Sequence, residues 1–409
     1  MTAFRARKRL FAFALLAGVV IAASVAVYLR GFGRIAMGLT LFHGAEQAEN
    51  FSRAARLFPS TTMPKSQVPF RFPQGEPSPL PATFIYSDTT TNIDEFLAET
   101  DTSALLVLKD GKVRFERYYQ TGGPDVHWLS WSVAKSFVSA LVGIAVHEGH
   151  IASIEDPISK YVPRFRGSGY DGVRIKDVLQ MSSGVRWDEN YANPFSDVNR
   201  FGTVLFLGGS LDAFTASLER ERPPGTRNHY ASADTHALGM LLAKATGRSV
   251  TDYMREKLWE PLGMESSGQW LTDDEGMEMV FGGLNATARD YAKLGELYRL
   301  RGTWRGKQLV PEAWVDASVT PDAPHLTPEA KANDVFPVGY GFQWWIPAGN
   351  EREYSAIGIY NQFIYVNPTR AVVIVKLSAF SGYALGLSES AYRELETIEF
   401  FRTIARGLE

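Results

Sequence analysis

The hydrophobic and polar positions of this 409-residue chain fall into successive regimes, each predicting a different structure. The first is an uncharged apolar run from Leu10 to Leu29, preceded by Arg5, Arg7, Lys8 and Arg9. About twenty apolar residues suffice to cross a bilayer, and a basic flank stays on the cytoplasmic side. The pattern predicts a basic cytoplasmic segment over 1–9 and a single transmembrane anchor over 10–29. Ser24-Val25-Ala26 would also suit a signal peptidase, but the run continues through Val27, Tyr28 and Leu29, which favours a retained anchor. Under either reading the remainder is exported, to the periplasmic or outer face of an inner membrane.

Residues 30–82 read as a connector. A mildly amphipathic patch over Ala45–Leu57 precedes Pro64, Pro69, Pro73, Pro77, Pro79 and Pro81, which cannot propagate a helix. Residues 83–409 read as one domain. Leu105–Leu108 and Val113–Tyr118 flank an Asp110-Gly111 pair, the signature of a β-hairpin. Helical spacing then runs from Ser132 to Glu148 and stops at Gly149. Between about 157 and 301 helical patterns dominate: Ala237–Thr246 closed by Gly247, Val250–Leu258 before Pro261, and Thr287–Arg301 before Gly302. Strand patterns return at Gly341–Ile346, Gln362–Val366 and Ala371–Leu377, followed by a helix from about Ser388 to Leu408. A sheet begun early, interrupted by helices and completed late predicts an α/β fold: an antiparallel sheet flanked by helices, with an inserted all-α lobe whose junction offers a cleft.

Composition narrows the chemistry. A net charge of −3 provides no basic field for nucleic acid, so none is expected as a partner. The chain has no cysteine, which excludes thiol catalysis, disulfides and cysteine-held metals. The seven histidines are scattered without an H-E-x-x-H pair, so no metal site and no cofactor are predicted.

What remains is serine chemistry. Trp131-Ser132-Val133-Ala134-Lys135-Ser136-Phe137 opens the first long helix, and a spacing of three places the Ser132 hydroxyl and the Lys135 amine on one helical face. A serine hydroxyl needs a base, and a lysine can act as one only if desolvation or nearby cations keep it neutral. S-x-x-K alone is a weak signal, but here it is the one occurrence, and its lysine lies in an apolar run of Phe137, Val138, Leu141 and Val142. About a hundred residues on, a Pro223-Pro224-Gly225 loop leads into Tyr230-Ala231-Ser232. A phenol beside an ammonium is biased toward phenolate, which would make Tyr230 a proton shuttle. No G-x-S-x-G elbow supports a Ser-His-Asp alternative, and His229 reads as a neighbour of Tyr230.

These segments, with Tyr161-Val162-Pro163, Asp188-Glu189-Asn190-Tyr191, Thr287-Ala288-Arg289-Asp290, Gln343-Trp344-Trp345 and Gly358-Ile359-Tyr360-Asn361-Gln362, resemble the serine β-lactamase and penicillin-binding-protein superfamily. The likeness is to its class C and esterase branch, and within that to the 6-aminohexanoate-dimer hydrolases, over about Ala104–Leu377. It implies the serine β-lactamase/DD-peptidase-like fold, an acyl-enzyme on Ser132, and proton transfer shared by Lys135 and Tyr230. It implies an oxyanion hole from the backbone N–H groups of Ser132 and Ile359, and a Tyr191 that closes over substrate. The superfamily's third motif, commonly Lys-Thr/Ser-Gly, falls on Ala356-Ile357-Gly358, so Ala356, Gly358 and Ser232 would line the substrate site.

Two departures shape the expected substrate. Ala356 replaces the lysine that holds the carboxylate of penicillins or stem peptides, and Ser232 replaces the asparagine of Tyr-x-Asn. The expectation is hydrolysis of a small ester or linear amide. The alternatives are a β-lactamase or D,D-peptidase acting on the cell wall, and a non-catalytic envelope protein that binds through the cleft.

Overall fold

The computed structural model describes residues 46–332, 334, 336–383 and 389–408, with isolated positions 16, 18, 19 and 25. But for those four positions, the predicted anchor over Leu10–Leu29 lies outside the described residues. Among the described residues no helix is long and apolar enough to cross a membrane.

The stretch expected as a connector contributes folded structure. Helix α1 (Gln47–Leu57) buries Phe51 and Ala54, and Ser60–Met63 then forms an edge strand against Gly268–Leu271. The prolines follow only after that strand. β1 (Thr102–Lys109) turns through Asp110 and Gly111, with φ of 51° and 70°, into β2 (Lys112–Tyr118), so the Asp-Gly pair does form the predicted hairpin.

Helix α2 (Ala134–His147) starts the helical region, followed by α3 (Asp197–Leu207) and α4 (Ser232–Thr246). α2 and α4 pack together and are buried over most of their length, α4 carrying the buried polar residues Ser232, Asp234, Thr235 and His236 at its start. Helix α5 (Ala288–Arg299) is set apart: it lies on the main sheet, where a Cβ added to Gly295 would come within 2.7 Å of Ile364 and Val373 side chains.

The carboxyl-terminal part supplies β3 (Gly339–Tyr340), β4 (Trp345–Ile346), β5 (Tyr354–Gly358), β6 (Gln362–Asn367) and β7 (Val372–Ser378). With the first hairpin they make a seven-stranded antiparallel sheet in the order β3-β4-β5-β6-β7-β1-β2. Alternation sorts the side chains: Leu106, Ile364, Val366, Val373 and Val375 face α5 and the helical core. Leu105, Val107, Phe363, Tyr365 and Ile374 face Phe400, Phe401 and Ile404 of α6 (Glu394–Gly407). Cover on both sides explains why β1, β6 and β7 read as unbroken apolar runs.

Local structure departs from the pattern in three places. Gly341–Ile346 is a hairpin turn plus a short strand rather than one strand, because Gln343 adopts φ of 63° and gives both its backbone and its side chain to the helices. The helix expected over Val250–Leu258 widens from an α-turn into a π-turn at Arg255–Trp259. The terminal helix breaks at Arg393, which has φ of 54°.

A second, four-stranded sheet matters most for the site. Ser60–Met63, Gly268–Leu271, Leu284–Ala286 and Trp128–Leu129 pair in that order. Its last strand delivers the chain to Ser130.

Candidate active site

Ser130 N–H donates to the Leu284 carbonyl at 2.7 Å, fixing the exit from the small sheet. Trp131 then takes φ of 45°, an unfavourable conformation for a large residue that persists only where neighbours enforce it. They do: its ring sits 5.3 Å from that of Phe51 and 5.4 Å from that of Tyr360. The kink opens a 3-10 turn over Trp131–Val133 that runs into α2. Ser132 therefore stands at a helix entrance, where N–H groups lack helical partners and the dipole favours negative charge.

Lys135 follows one turn later, only 2% exposed. Its Nζ lies 2.8 Å from Ser132 Oγ, 3.2 Å from Ser232 Oγ and 2.8 Å from the Phe281 carbonyl. As an ammonium, Lys135 has one N–H bond for each of these three oxygens. Ser232 spends its single proton on Glu189 Oε1 at 2.6 Å, so its oxygen can only accept from Lys135, as can the Phe281 carbonyl. Once deprotonated, the amine keeps two N–H bonds for those two acceptors and can turn its lone pair to the Ser132 hydroxyl. Burial pulls the Lys135 pKa down to about 7, against the opposing pull of the Glu189 charge, so the neutral form is populated near neutral pH.

Tyr230 completes the cluster. Its ring is 5.1 Å from Lys135 Nζ and stacks on Trp345 at 5.1 Å. The expected bias toward phenolate is not present: burial, with Glu189 adding to it, pushes the Tyr230 pKa well above its ordinary value. A lysine that is itself near half-neutral offers little positive charge to offset this. Tyr230 is a neutral phenol, equipped to donate and relay a proton.

Glu189 is the residue that sequence reasoning did not single out. It accepts from the Ser232 N–H at 3.0 Å, from the Ser232 hydroxyl, from the Trp187 indole N–H, and from Tyr191 at 2.5 Å. Its position was inside the Asp188-Glu189-Asn190-Tyr191 run, but a carboxylate in a polar loop reads as solvated surface. Tyr191, half-buried, is thereby linked through Glu189 to Ser232.

β5 forms the opposite wall. Tyr354, Ala356 and Gly358 share the face toward the helical lobe, while Ile357 points to the other side. A Cβ on Gly358 would lie 2.7 Å from the Ser130 carbonyl and 3.0 Å from the Ser132 nitrogen, so glycine is what lets the strand end abut the backbone of Ser132. Ile359 comes next, half-buried, followed by Tyr360 and Asn361 with φ of 62° and 71°. The structure thus gathers Ser132, Lys135, Tyr230, Ser232 and Gly358, with Ile359 adjacent and Tyr191 tied in through Glu189. Ala356 lies two residues back on the same strand face, fully buried, and offers no ammonium. Among the described residues no group of acidic or histidine side chains could hold a metal ion.

Comparison with known proteins agrees with this architecture. The Beta-lactamase family model matches residues 90–396. The 6-aminohexanoate-dimer hydrolase of Paenarthrobacter ureafaciens is 30% identical over 339 residues, covering 81% of this chain and 84% of that protein. A structure assigned as a 6-aminohexanoate-dimer hydrolase from Bacillus anthracis superposes with a TM-score of 0.78 at 21% identity, covering 90% of this chain and 95% of the other. EstCE1, described as a hydrolase with promiscuous acyltransferase activity, has a TM-score of 0.61 at 14% identity, covering 76% of this chain and 96% of its own. The chain therefore belongs to the β-lactamase family and is a serine hydrolase of that family.

Proposed function

We propose that the protein hydrolyses small esters or short linear amides through an acyl-enzyme on Ser132. The observation that carries this reading is the placement of Lys135, whose buried amine lies 2.8 Å from Ser132 Oγ and, once neutral, can give its two N–H bonds to Ser232 and Phe281 and its lone pair to the Ser132 hydroxyl. Ser132 Oγ attacks the carbonyl carbon while its proton passes to Lys135 Nζ. The carbonyl oxygen, now anionic, is held by the N–H groups of Ser132 and Ile359. The proton reaches the leaving oxygen or nitrogen through the Tyr230 phenol as the tetrahedral intermediate collapses, and water repeats the sequence to release the acid.

Substrate class follows from what lines the cleft. Without a cation at Ala356 the carboxylate of a β-lactam or stem peptide finds no partner on β5. Likeness to the dimer hydrolase supports a linear amide, and likeness to EstCE1 supports an ester. Tyr191 closes over the bound molecule. The catalytic domain acts on the exported side of the membrane, tethered by Leu10–Leu29.

The test is labelling with a fluorophosphonate, followed by turnover of p-nitrophenyl esters and of aminohexanoate-type amides. Adduct formation on Ser132 that disappears in Ser132→Ala is the expected result. Labelling that survives this substitution overturns the assignment, and efficient nitrocefin turnover replaces the substrate class with a β-lactamase one.

A further inference from the structure

Two consecutive amides follow the oxyanion turn, and both are fully buried: Asn361 and Gln362. The hydrolytic scheme uses neither. Asn361 reaches the far side of the sheet, where its Oδ1 accepts from Lys376 Nζ at 2.7 Å and from Thr397 Oγ1 at 3.0 Å, and its Nδ2 donates to the Tyr392 carbonyl at 3.2 Å. This pins the turn to the start of α6.

Gln362 reaches the near side, and its carboxamide is completely used. Nε2 donates to the Ser378 carbonyl at 2.5 Å and, with its second hydrogen, to the Tyr360 and Ile359 carbonyls at 3.0 Å and 3.1 Å. Oε1 accepts from the Ser378 N–H at 3.0 Å and from the Trp128 indole N–H at 3.0 Å. Toward Ser378 the side chain extends the β6–β7 ladder beyond its last paired residues, Phe363 and Lys376. Trp128 belongs to the strand that delivers Ser132, and Ile359 belongs to the turn that delivers the opposing N–H. One side chain therefore bonds to both walls of the hole.

We propose that Gln362 is a positioning residue for acyl transfer: it sets the spacing between the Ser132 and Ile359 N–H groups by tying the Trp128 strand to the Ile359 turn. The proposal rests on the catalytic reading given above. Oxyanion donors act only if fixed where charge develops, and misplacement by about 1 Å costs on the order of a hundredfold in rate. Nothing in Gln362 touches substrate, so ground-state binding should be indifferent to it.

Gln362→Met keeps the length and volume and removes every polar contact. The expected result on the full chain is a fall in kcat of roughly 10²-fold, with KM within about threefold, and a parallel weakening of inhibition by a boronic-acid transition-state analogue. Trp128→Phe, which removes only the indole donor, should show the same kcat-only pattern at about fivefold to tenfold and serves if the first variant does not fold. An unchanged kcat in either folded variant overturns the proposal. So does a kcat loss with analogue affinity unchanged, since that pattern marks general loosening. Turnover by the unmodified enzyme and its loss in Ser132→Ala are measured first: if turnover does not depend on Ser132, the catalytic reading fails and the clamp with it, whereas Ser132-dependent turnover that ignores Gln362 overturns the clamp alone.

Discussion

Lys135 carries opposed demands, and its surroundings set measurable limits on each. As the proposed base it must be neutral, and with its pKa at about 7 activity should fall as pH drops through that region. Glu189 opposes neutrality, since its charge stabilises the ammonium; Tyr230 and Tyr191 face the same carboxylate but remain protonated phenols. Glu189→Gln should therefore move the acidic limb of kcat/KM to lower pH, read from pH profiles on a p-nitrophenyl ester; a shift to higher pH would contradict the arrangement. Burying an amine whose charge is suppressed also costs stability. Its folded pKa lies below the unfolded value of about 10.4, so below that value the unfolded chain holds the proton more tightly. Lys135→Met should abolish turnover and yet raise the melting temperature, with a gain on the order of 1 kcal/mol. Sequence alone pointed to Ser132, Lys135 and Tyr230, because nucleophile, base and phenol are rare in that company. It missed Glu189 and Gln362, because an acid and an amide become informative only once their partners, distant in the chain, are known.

At the scale of elements, close backbone approach explains the glycines that matter. Gly358→Ala would drive a methyl into the Ser130 carbonyl and the Ser132 nitrogen, prising β5 from the strand end. We expect kcat to drop by about 10²-fold or more, with a modest stability loss of about 1–3 kcal/mol, measured by ester turnover and chemical denaturation. Gly295→Ala would crowd Ile364 and Val373 beneath α5, none of them in contact with the Ser132 cluster described above, and should cost a similar ~1–3 kcal/mol while the folded fraction keeps its kcat. The β1–β2 hairpin and the strands β6 and β7 were legible because apolar runs and an Asp-Gly turn are local signals. β5 was not read as a strand from its residues: Tyr354-Ser355-Ala356-Ile357-Gly358 is short and mixed, and its place was inferred only through a family motif. The break between β3 and β4 was hidden for the opposite reason, since Gly341–Ile346 is apolar enough for a strand but Gln343 is claimed by Ser136, Thr235 and Leu179. Tertiary demand overrode local preference.

Across the whole molecule, the two sheets divide the labour. The large one presents β5 and its turn, the small one leads into Ser132 and the Phe281 carbonyl, and the helical region adds Lys135, Tyr230 and Ser232. A fragment beginning at residue 46 should retain full ester turnover. One beginning at residue 65 should lose both the edge strand Ser60–Met63 and the buried Phe51, Ala54, Phe58 and Met63, and should unfold at markedly lower denaturant. Phe51 makes this more than a matter of stability. Its ring touches Trp131 on one side and, at 5.1 Å, Tyr360 on the other, so α1 braces both the strained residue before the nucleophile and the turn after Ile359. An early part of the chain is thus needed to complete a centre whose other pieces come much later in the sequence. A clipped polypeptide lacking that helix should lose ester turnover, and activity would report the integrity of the chain from α1 onward.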